Sequence, residues 1–294
     1  MTIAHDFAYL HPVTMPDALA MLSGHEGAML LAGGTDLVPW LRDDAITPEV
    51  VIDIKDVPGL TGIEIDGGTL RIGALTTFSD LIASTAAHRA VPMLVEAAHT
   101  VASVGVRNRA TLVGNVCSAV PSCDAGPALL AYEAVMDVIG PAGVRSIPIL
   151  DWFLGPRRQA LGKGEIVTSV SIPILERHGA CYVKLSRYRG EDLAQVGVAV
   201  VALPGRQYRV AYGAVGPVPF RAPAIEAYLA GKDLDAETLA GLPTLIGAAI
   251  SPIDDVRASK EYRTHMSRVM LERGLAAAAA RLEGGGPPYG ESVI

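Results

Sequence analysis

The sequence predicts an α+β protein in two parts: an N-terminal α/β part and a C-terminal domain that combines an antiparallel sheet with helices. Three observations support this fold class. The chain has 294 residues, which is more than one small domain usually needs. The first half mixes short apolar strand patterns, one clear hairpin and helical segments. The last third contains three strand-like runs joined by turns, and only helical segments follow them.

The first 58 residues are predicted to form a small α/β unit. A helix is expected over residues 17–22, directly after a proline. The apolar run 28–32 predicts a buried strand that enters a tight turn at Gly33-Gly34. Residues 50–54 are rich in β-branched side chains and predict a second strand.

Residues 59–176 are predicted to form a second unit of the same part. Residues 62–73 alternate apolar and polar side chains on both sides of Asp66-Gly67-Gly68, which indicates a β-hairpin with a tight turn. Further elements follow in order: a helix from about residue 79 capped near Thr77, a helix over 91–101, and strands over 135–139 and 166–172.

The C-terminal domain is placed at residues 177–284, with 285–294 as a tail. Its sheet is predicted from three strands, over 182–185, 196–203 and 208–215, with turns at Arg189-Gly190 and Pro204-Gly205. Helices follow over 221–230 and 260–282, and three glycines at 284–286 end the last helix. The tail is expected to be a surface arm.

The composition excludes several classes of protein. Half of the residues are hydrophobic, 19% are charged and the net charge is -7, so the chain can bury a core and is unsuited to nucleic acid. No apolar run reaches the roughly 18 residues of a membrane helix. Residues 1–9 lack a basic region followed by an apolar stretch, so we expect a cytoplasmic protein.

The three cysteines, Cys117, Cys123 and Cys181, do not predict a cross-linked or cluster-binding protein. Their odd, low number argues against a disulfide framework, and an iron–sulfur cluster normally takes four cysteine ligands. We interpret them as small buried residues; a redox or metal-binding role for Cys117 and Cys123 is the alternative.

Two glycine-containing loops are the candidate anion sites. The first comprises Leu30, Leu31, Ala32, Gly33, Gly34, Thr35, Asp36 and Leu37, and the second contains Thr111, Gly114 and Asn115. Glycines permit positive φ, and successive N–H groups in such turns form a concavity that binds phosphate. Two such loops could hold the two phosphates of a dinucleotide. For either loop alone, an ordinary tight turn is the alternative.

The usual catalytic and nucleotide motifs are missing from the sequence. It lacks a G-x-G-x-x-G after a strand, a P-loop, H-E-x-x-H and G-x-S-x-G. The seven histidines are scattered and are expected to be surface or core residues. We therefore predict no protein catalytic group and no metal site on this chain.

A set of short segments occurs in the order and at the spacing of one known family. These segments are 32–36, 72–77, 106–115, 121–130, 172–173, 184–200, 261–263 and 270–271. With them the sequence resembles the medium, FAD-binding subunits of the molybdenum hydroxylases, such as xanthine and carbon monoxide dehydrogenases, over nearly the whole chain. One departure is Val113, where many relatives have glycine. Positive φ would be costly for a β-branched residue, so we expect an ordinary backbone conformation there.

The resemblance implies a cofactor site. Residues 1–176 would form a two-part FAD-binding domain of the PCMH type, with FAD in the cleft between its units. The loop 30–37 would wrap the diphosphate, and residues of the second loop and its continuation would hold it from the other side: Thr111, Gly114, Asn115 and Ser118. Asp124 would contact FAD, and Val167 would lie beside the flavin. Lys184 would lie near the flavin ring, where a positive charge favours the reduced form; the alternative for Lys184 is a solvated surface turn.

The resemblance also implies an electron relay within a heterotrimer or a dimer of heterotrimers. A large subunit would carry the molybdenum–pterin cofactor and a small subunit two 2Fe-2S clusters. FAD on this chain would pass the electrons to NAD, a quinone or oxygen. Two alternatives remain at this point: a stand-alone FAD oxidoreductase of a small alcohol or sugar precursor, and a scaffold that has lost its flavin.

Overall fold

The N-terminal unit is a parallel three-stranded sheet flanked by helices. The structure, a computed structural model, describes residues 3–188 and 192–294. The elements of this unit are β1 (Ala8–Leu10), α1 (Met15–Gly24), β2 (Met29–Leu31), α2 (Leu37–Arg42) and β3 (Val50–Asp53). The strand order is β1-β3-β2. All four residues of the central β3 are buried, as expected for a strand with neighbours on both sides.

The second unit is built on an antiparallel five-stranded sheet. Its elements are β4 (Ile63–Asp66), β5 (Thr69–Gly73), α3 (Phe78–Ala83), α4 (Thr85–Ala90), α5 (Pro92–His99), α6 (Val104–Arg107), α7 (Leu112–Cys117), α8 (Ala125–Tyr132), β6 (Val135–Gly140), β7 (Gly143–Pro148), β8 (Phe153–Gly155), β9 (Arg158–Gln159) and β10 (Ile166–Pro173). The strand order is β4-β5-β10-β6-β7, and β8 and β9 form a separate ribbon.

Local sequence signals specify the beginning of this unit as predicted. Gly67 and Gly68 have φ of 53° and 82°, which is the tight hairpin turn that the Asp-Gly-Gly pattern indicates. Thr77 caps α3 in a capping box with Asp80. Both features depend on residues adjacent in sequence, so no long-range information is needed to predict them.

The elements that were not predicted have weak local patterns. All eight residues of α8 are buried, so the helix has no polar face and shows no helical periodicity. Strand β7 is exposed at every position except Ile147, so it lacks the apolar alternation of a half-buried strand. The helices α6 and α7 are only 4 and 6 residues long, and their sequence has the glycines typical of a loop.

The C-terminal domain has the three predicted strands and a fourth short one. Its elements are β11 (Gly179–Leu185), β12 (Val196–Leu203), β13 (Gln207–Gly213), β14 (Phe220–Arg221), α9 (Pro223–Leu229), α10 (Ala236–Ala240), α11 (Leu242–Ala249) and α12 (Lys260–Leu282). The strands pair antiparallel in sequence order. The turn predicted at Arg189-Gly190 lies outside the described residues. No helix in the described part of the chain is long and apolar enough to span a bilayer.

The sheet β11–β13 is buried on both faces. One face packs against α12, α9 and α11 in a core of its own. The other face contributes Tyr182, Ala199, Val201 and Ala211 to the larger core around α5, α8 and the five-stranded sheet. The C-terminal domain is thus joined to the rest of the chain through continuous apolar packing.

A buried ion pair crosses the same junction. The side chains of Arg281, near the end of α12, and Glu96, on α5, are 3% and 7% exposed and lie 2.8 Å apart. The five N–H donors of the guanidinium bond Glu96 twice and the carbonyl oxygens of Ala180, Pro287 and Pro288. The tail, expected to be a surface arm, therefore covers this pair with residues 287 and 288.

Candidate functional site

Residues of both loops line one cavity. It has a volume of about 680 Å³, within the usual range for cofactor sites. The N-terminal unit, α6 and α7, the start of β10 and one corner of the C-terminal domain form its walls. Every predicted site residue except Leu31 lines it. The side chain of Leu31 packs on the opposite face of β2, beside Leu41 and Val51, as the alternation of a strand requires.

The first loop packs closely against the backbone of Arg109 and Ala110, the two residues directly before the second loop. Gly34 has φ of 77°, which side-chain-bearing residues rarely adopt. A Cβ atom at Gly33 would lie 2.0 Å from the carbonyl oxygen of Arg109. Only a glycine can therefore occupy position 33 without separating the two loops.

The second loop is fixed at Thr111, the N-cap residue of α7. Its hydroxyl oxygen accepts the N–H of Gly114 at 3.0 Å. A Cβ atom at Gly114 would lie 2.6 Å from that hydroxyl oxygen. Val113 is buried in the first turn of α7 and is not among the residues with positive φ, so the expected ordinary conformation is confirmed.

Two side-chain hydrogen bonds connect the loops to their surroundings. The hydroxyl of Ser118 donates to the carboxylate of Asp36, which ties the end of α7 to the first loop. The amide oxygen of Asn115 accepts from the thiol of Cys123 at 3.0 Å and from the N–H of Ala125 at 3.4 Å. Asn115 thus positions the start of α8 as well as lining the cavity.

A buried lysine and a buried aspartate face each other at the end of the cavity nearest to the C-terminal domain. The ammonium of Lys184 lies 2.8 Å from the carboxylate of Asp124, and their side chains are only 5% and 8% exposed. This burial excludes the alternative of a solvated surface turn for Lys184. Lys184 also donates to the carbonyl oxygen of Thr100 at 2.8 Å, and the hydroxyl of Tyr182 donates to Asp124 at 2.9 Å.

The pKa of Asp124 is raised above its usual value, as the balance of two opposing influences. Burial raises the pKa of the carboxyl, whereas the positive charge of Lys184 and the hydrogen bonds from Lys184 and Tyr182 lower it. Burial also raises the pKa of Tyr182 well above its usual value, so this phenol remains a hydrogen-bond donor. The pair is therefore a buried cation and a carboxylate that depends on its donors to remain ionised.

Sequence reasoning missed several residues of the cavity wall. Trp40 lines the cavity, and the guanidinium of Arg157 stacks 4.8 Å from the centre of its ring. Glu165 also lines the cavity; it is held by Arg145 through two hydrogen bonds of 2.7 Å. The partners of these residues are distant in sequence, and no local pattern identifies them.

The cysteines do not supply chemistry to the cavity. None of the three forms a disulfide. Burial raises the pKa of Cys117 to about 12 and raises that of Cys123 further, so both remain thiols at neutral pH. Within residues 3–188 and 192–294, no group of three or more histidine, cysteine or carboxylate side chains could hold a metal ion.

Both parts of the chain match models of one family. Residues 5–175 match the FAD binding domain in molybdopterin dehydrogenase, and residues 181–278 match the CO dehydrogenase flavoprotein C-terminal domain. The chain belongs to the FAD-binding medium subunits of the molybdenum hydroxylases. The tight contact at Gly33 and the buried Lys184 fit a dinucleotide with a polar ring, so the cavity is consistent with this cofactor.

Relatives and solved structures agree with this family membership. The chain is 35% identical to the carbon monoxide dehydrogenase medium chain of Hydrogenophaga pseudoflava, covering 94% of this chain and 98% of the relative. It is 31% identical to the xanthine dehydrogenase FAD-binding subunit of Escherichia coli O157:H7, covering 95% and 98%. A solved carbon monoxide dehydrogenase of H. pseudoflava, which lacks the Mo-pyranopterin moiety, superposes with a TM-score of 0.91 at 36% identity, covering 96% and 99%.

These comparisons confirm the predicted α+β fold class, FAD as the cofactor and the medium subunit of a multi-subunit oxidoreductase as the type of protein. They do not favour a stand-alone FAD oxidoreductase. The roles of individual cavity residues and the domain boundaries at 58, 176 and 284 remain predictions.

Proposed function

We propose that this chain binds one FAD in the cavity between the two loops and acts as the electron-transfer subunit of a molybdenum hydroxylase. The observation that carries the proposal is the convergence of both glycine loops and a buried lysine on one cavity. Neither loop alone would distinguish a cofactor site from an ordinary turn. The close approach of Gly33 to Arg109 and Ala110, the residues directly before the second loop, brings the two loops together as one binding surface.

The loop residues would hold the diphosphate from two sides. Backbone N–H groups of residues 32–36 and the Thr35 hydroxyl would donate to it from the first loop. Residues 111–115 and Ser118 would close the other side, where the N–H groups of Gly114 and Asn115 and the Ser118 hydroxyl already donate within the protein and hold the loop in shape. Val167 is buried at the start of β10 and would give the flavin an apolar contact. Asp124 and Lys184 would provide the polar contacts at the far end.

When bound, FAD supplies the redox chemistry of the subunit by taking up electrons and passing them on. The residues of this chain bind and orient it and set its electrostatic environment. Lys184 places a positive charge at the cavity wall, where it would stabilise negative charge on a reduced ring. We assign no acid–base or nucleophilic role to any residue of this chain.

The remaining redox centres lie on partner chains. A large subunit would carry the molybdenum–pterin cofactor and a small subunit the 2Fe-2S clusters, in a heterotrimer or a dimer of heterotrimers. The acceptor of the electrons would be NAD, a quinone or oxygen. We further infer a cytoplasmic location, which the three free thiols support because disulfides are rare in that compartment.

Copurification tests the proposal. We expect the tagged chain, coexpressed with its neighbouring open reading frames, to elute with a large and a small subunit and with a flavin absorbance. Denaturation should release one FAD per copy of this chain. Flavin without partners would indicate the stand-alone oxidoreductase, and partners without flavin would indicate a scaffold; either result contradicts the proposal.

A further inference from the structure

Tyr182 is a buried residue that bonds Asp124, a residue of the cavity wall. Its hydroxyl donates to one carboxylate oxygen of Asp124 at 2.9 Å, and the other oxygen accepts from Lys184 at 2.8 Å. Asp124 and Lys184 line the cavity, whereas Tyr182 lies behind them. The three side chains form a chain of hydrogen bonds that ends at the carbonyl oxygen of Thr100.

The strand geometry places the hydroxyl where it bonds Asp124. Tyr182 and Lys184 are two residues apart on β11, so their side chains project from the same face of the sheet. On β12, Gly197 is paired with Lys184, and a Cβ atom there would lie 3.0 Å from the Tyr182 hydroxyl. The glycine leaves the space that this hydroxyl occupies.

Asp124 depends on these two donors for its charge. It stands at the N-cap position of α8 but makes no side-chain capping bond, so its oxygens are free for Tyr182 and Lys184. A carboxylate at this depth is stabilised by each hydrogen bond it accepts and takes up a proton when the bonds are lost. Lys184 uses two of its three N–H donors on Thr100 and Asp124, which leaves one for a ligand in the cavity.

We propose that Tyr182 is a positioning residue that keeps Asp124 ionised, and so sets the net charge that Lys184 and Asp124 together present to the flavin. This inference rests on the proposed FAD site. With the hydroxyl in place, the negative charge of Asp124 offsets much of the positive charge of Lys184. Without the Tyr182 hydroxyl, Asp124 takes up a proton more readily. Since a protonated Asp124 is neutral, the positive charge of Lys184 is then left uncompensated.

The groups around Asp124 determine in which direction loss of the Tyr182 hydroxyl shifts its pKa and the flavin potential. Lys184 and Tyr182 face it from β11, and the thiol of Cys123 precedes it on its own segment. Glu96 of α5 bonds the backbone N–H of Tyr182 and is paired with Arg281. Removing the Tyr182 hydroxyl raises the pKa of Asp124, because a bond to the charged form is lost. A protonated Asp124 makes the flavin easier to reduce.

The test is the flavin midpoint potential of the assembled enzyme, measured as a function of pH. Tyr182→Phe should shift the potential to more positive values. The pH at which Asp124 takes up a proton, and its negative charge no longer lowers the potential, should move upward by about one unit. This is the usual effect of a hydrogen bond to a charged group. The difference from the unmodified enzyme should fade at high pH, where Asp124 is ionised in both. Tyr208→Phe, which alters a buried tyrosine outside the cavity, is the matched control and should leave the potential unchanged.

A second background separates positioning from simple loss of structure. In Asp124→Asn, Tyr182→Phe should add no further shift, because the group it acts through no longer titrates. If Tyr182→Phe retains too little flavin to measure, Gly197→Ala serves instead. It retains the hydroxyl but crowds it, so it should shift the potential in the same direction, and the shift should disappear in the Asp124→Asn background.

The outcomes distinguish this inference from the proposed function. Within Asp124→Asn, Lys184→Met removes only the positive charge and should make the potential more negative. If it does not, the site assignment itself is wrong. If it does, but Tyr182→Phe leaves the potential and its pH dependence unchanged, or shifts them equally in the Asp124→Asn background, the positioning role of Tyr182 is overturned.

Discussion

Replacing Gly33 by alanine is expected to abolish FAD retention. The new Cβ atom would lie 2.0 Å from the carbonyl oxygen of Arg109 and 3.1 Å from the Cα atom of Ala110. Both neighbours are backbone atoms, so the contact can be relieved only by moving the two loops apart. Losing two or three hydrogen bonds to a charged diphosphate would weaken binding on the order of a hundredfold or more. Exchanging Gly33 and Gly34 together for valine should have at least the same effect.

The measurement is the FAD released per chain from purified protein. Gly24→Ala is the matched control, since Gly24 has no atom within 4 Å of an added Cβ and does not line the cavity. The C-terminal domain should remain folded in both variants, because its core is separate from the loops. Full FAD content in Gly33→Ala would show that the contact between the loops is not needed for binding.

Replacing Arg281 by methionine is expected to cause a large loss of stability. Among residues 3–188 and 192–294, the exchange leaves buried Glu96 with only the backbone N–H groups of Tyr182 and Gly290 as partners. Breaking a buried pair by removing one partner costs roughly 3–5 kcal/mol. The guanidinium also orders the tail, and Tyr289 stacks 4.1 Å from it, so the tail should become accessible to proteolysis.

Thermal unfolding and limited proteolysis of the purified protein measure this effect. Arg177→Met is the control, because Arg177 also pairs with a glutamate, Glu283, but at an exposed site where ion pairs contribute little. Exchanging Glu96 for leucine together with Arg281→Met should recover part of the loss, since no buried charge then remains. Equal unfolding temperatures for Arg281→Met and Arg177→Met would show that the junction does not depend on the ion pair.

Sequence predicted the parts of this fold that depend on neighbouring residues. The hairpin at Gly67-Gly68, the cap at Thr77 and the helix Lys260–Leu282 are set by turn residues, capping side chains and the glycines that follow. Helix α8 was not predicted because complete burial removes its polar face. The fourth strand β14 is two residues long, too short to carry an alternating pattern.

The sequence likewise predicted the local features of the candidate site and not its long-range contacts. The glycine loops can be recognised in the sequence because an anion site needs close backbone approach. Their proximity to each other depends on the tertiary structure and cannot be read from the sequence. Lys184 was identified only through the family resemblance. The structure gives the physical reason for its place in the site, because Lys184 is buried against Asp124. Tyr182 and Asp124 are 58 positions apart, and Glu96 and Arg281 are 185 apart, so no local pattern links either pair.

The most direct test of the account is a density map of the assembled enzyme with its cofactors. We expect FAD density in the cavity, with the diphosphate between residues 32–36 and 111–115 and the flavin ring in contact with Lys184. Density for FAD elsewhere on the chain, or a fully assembled enzyme in which both loops contact no cofactor, would contradict the account.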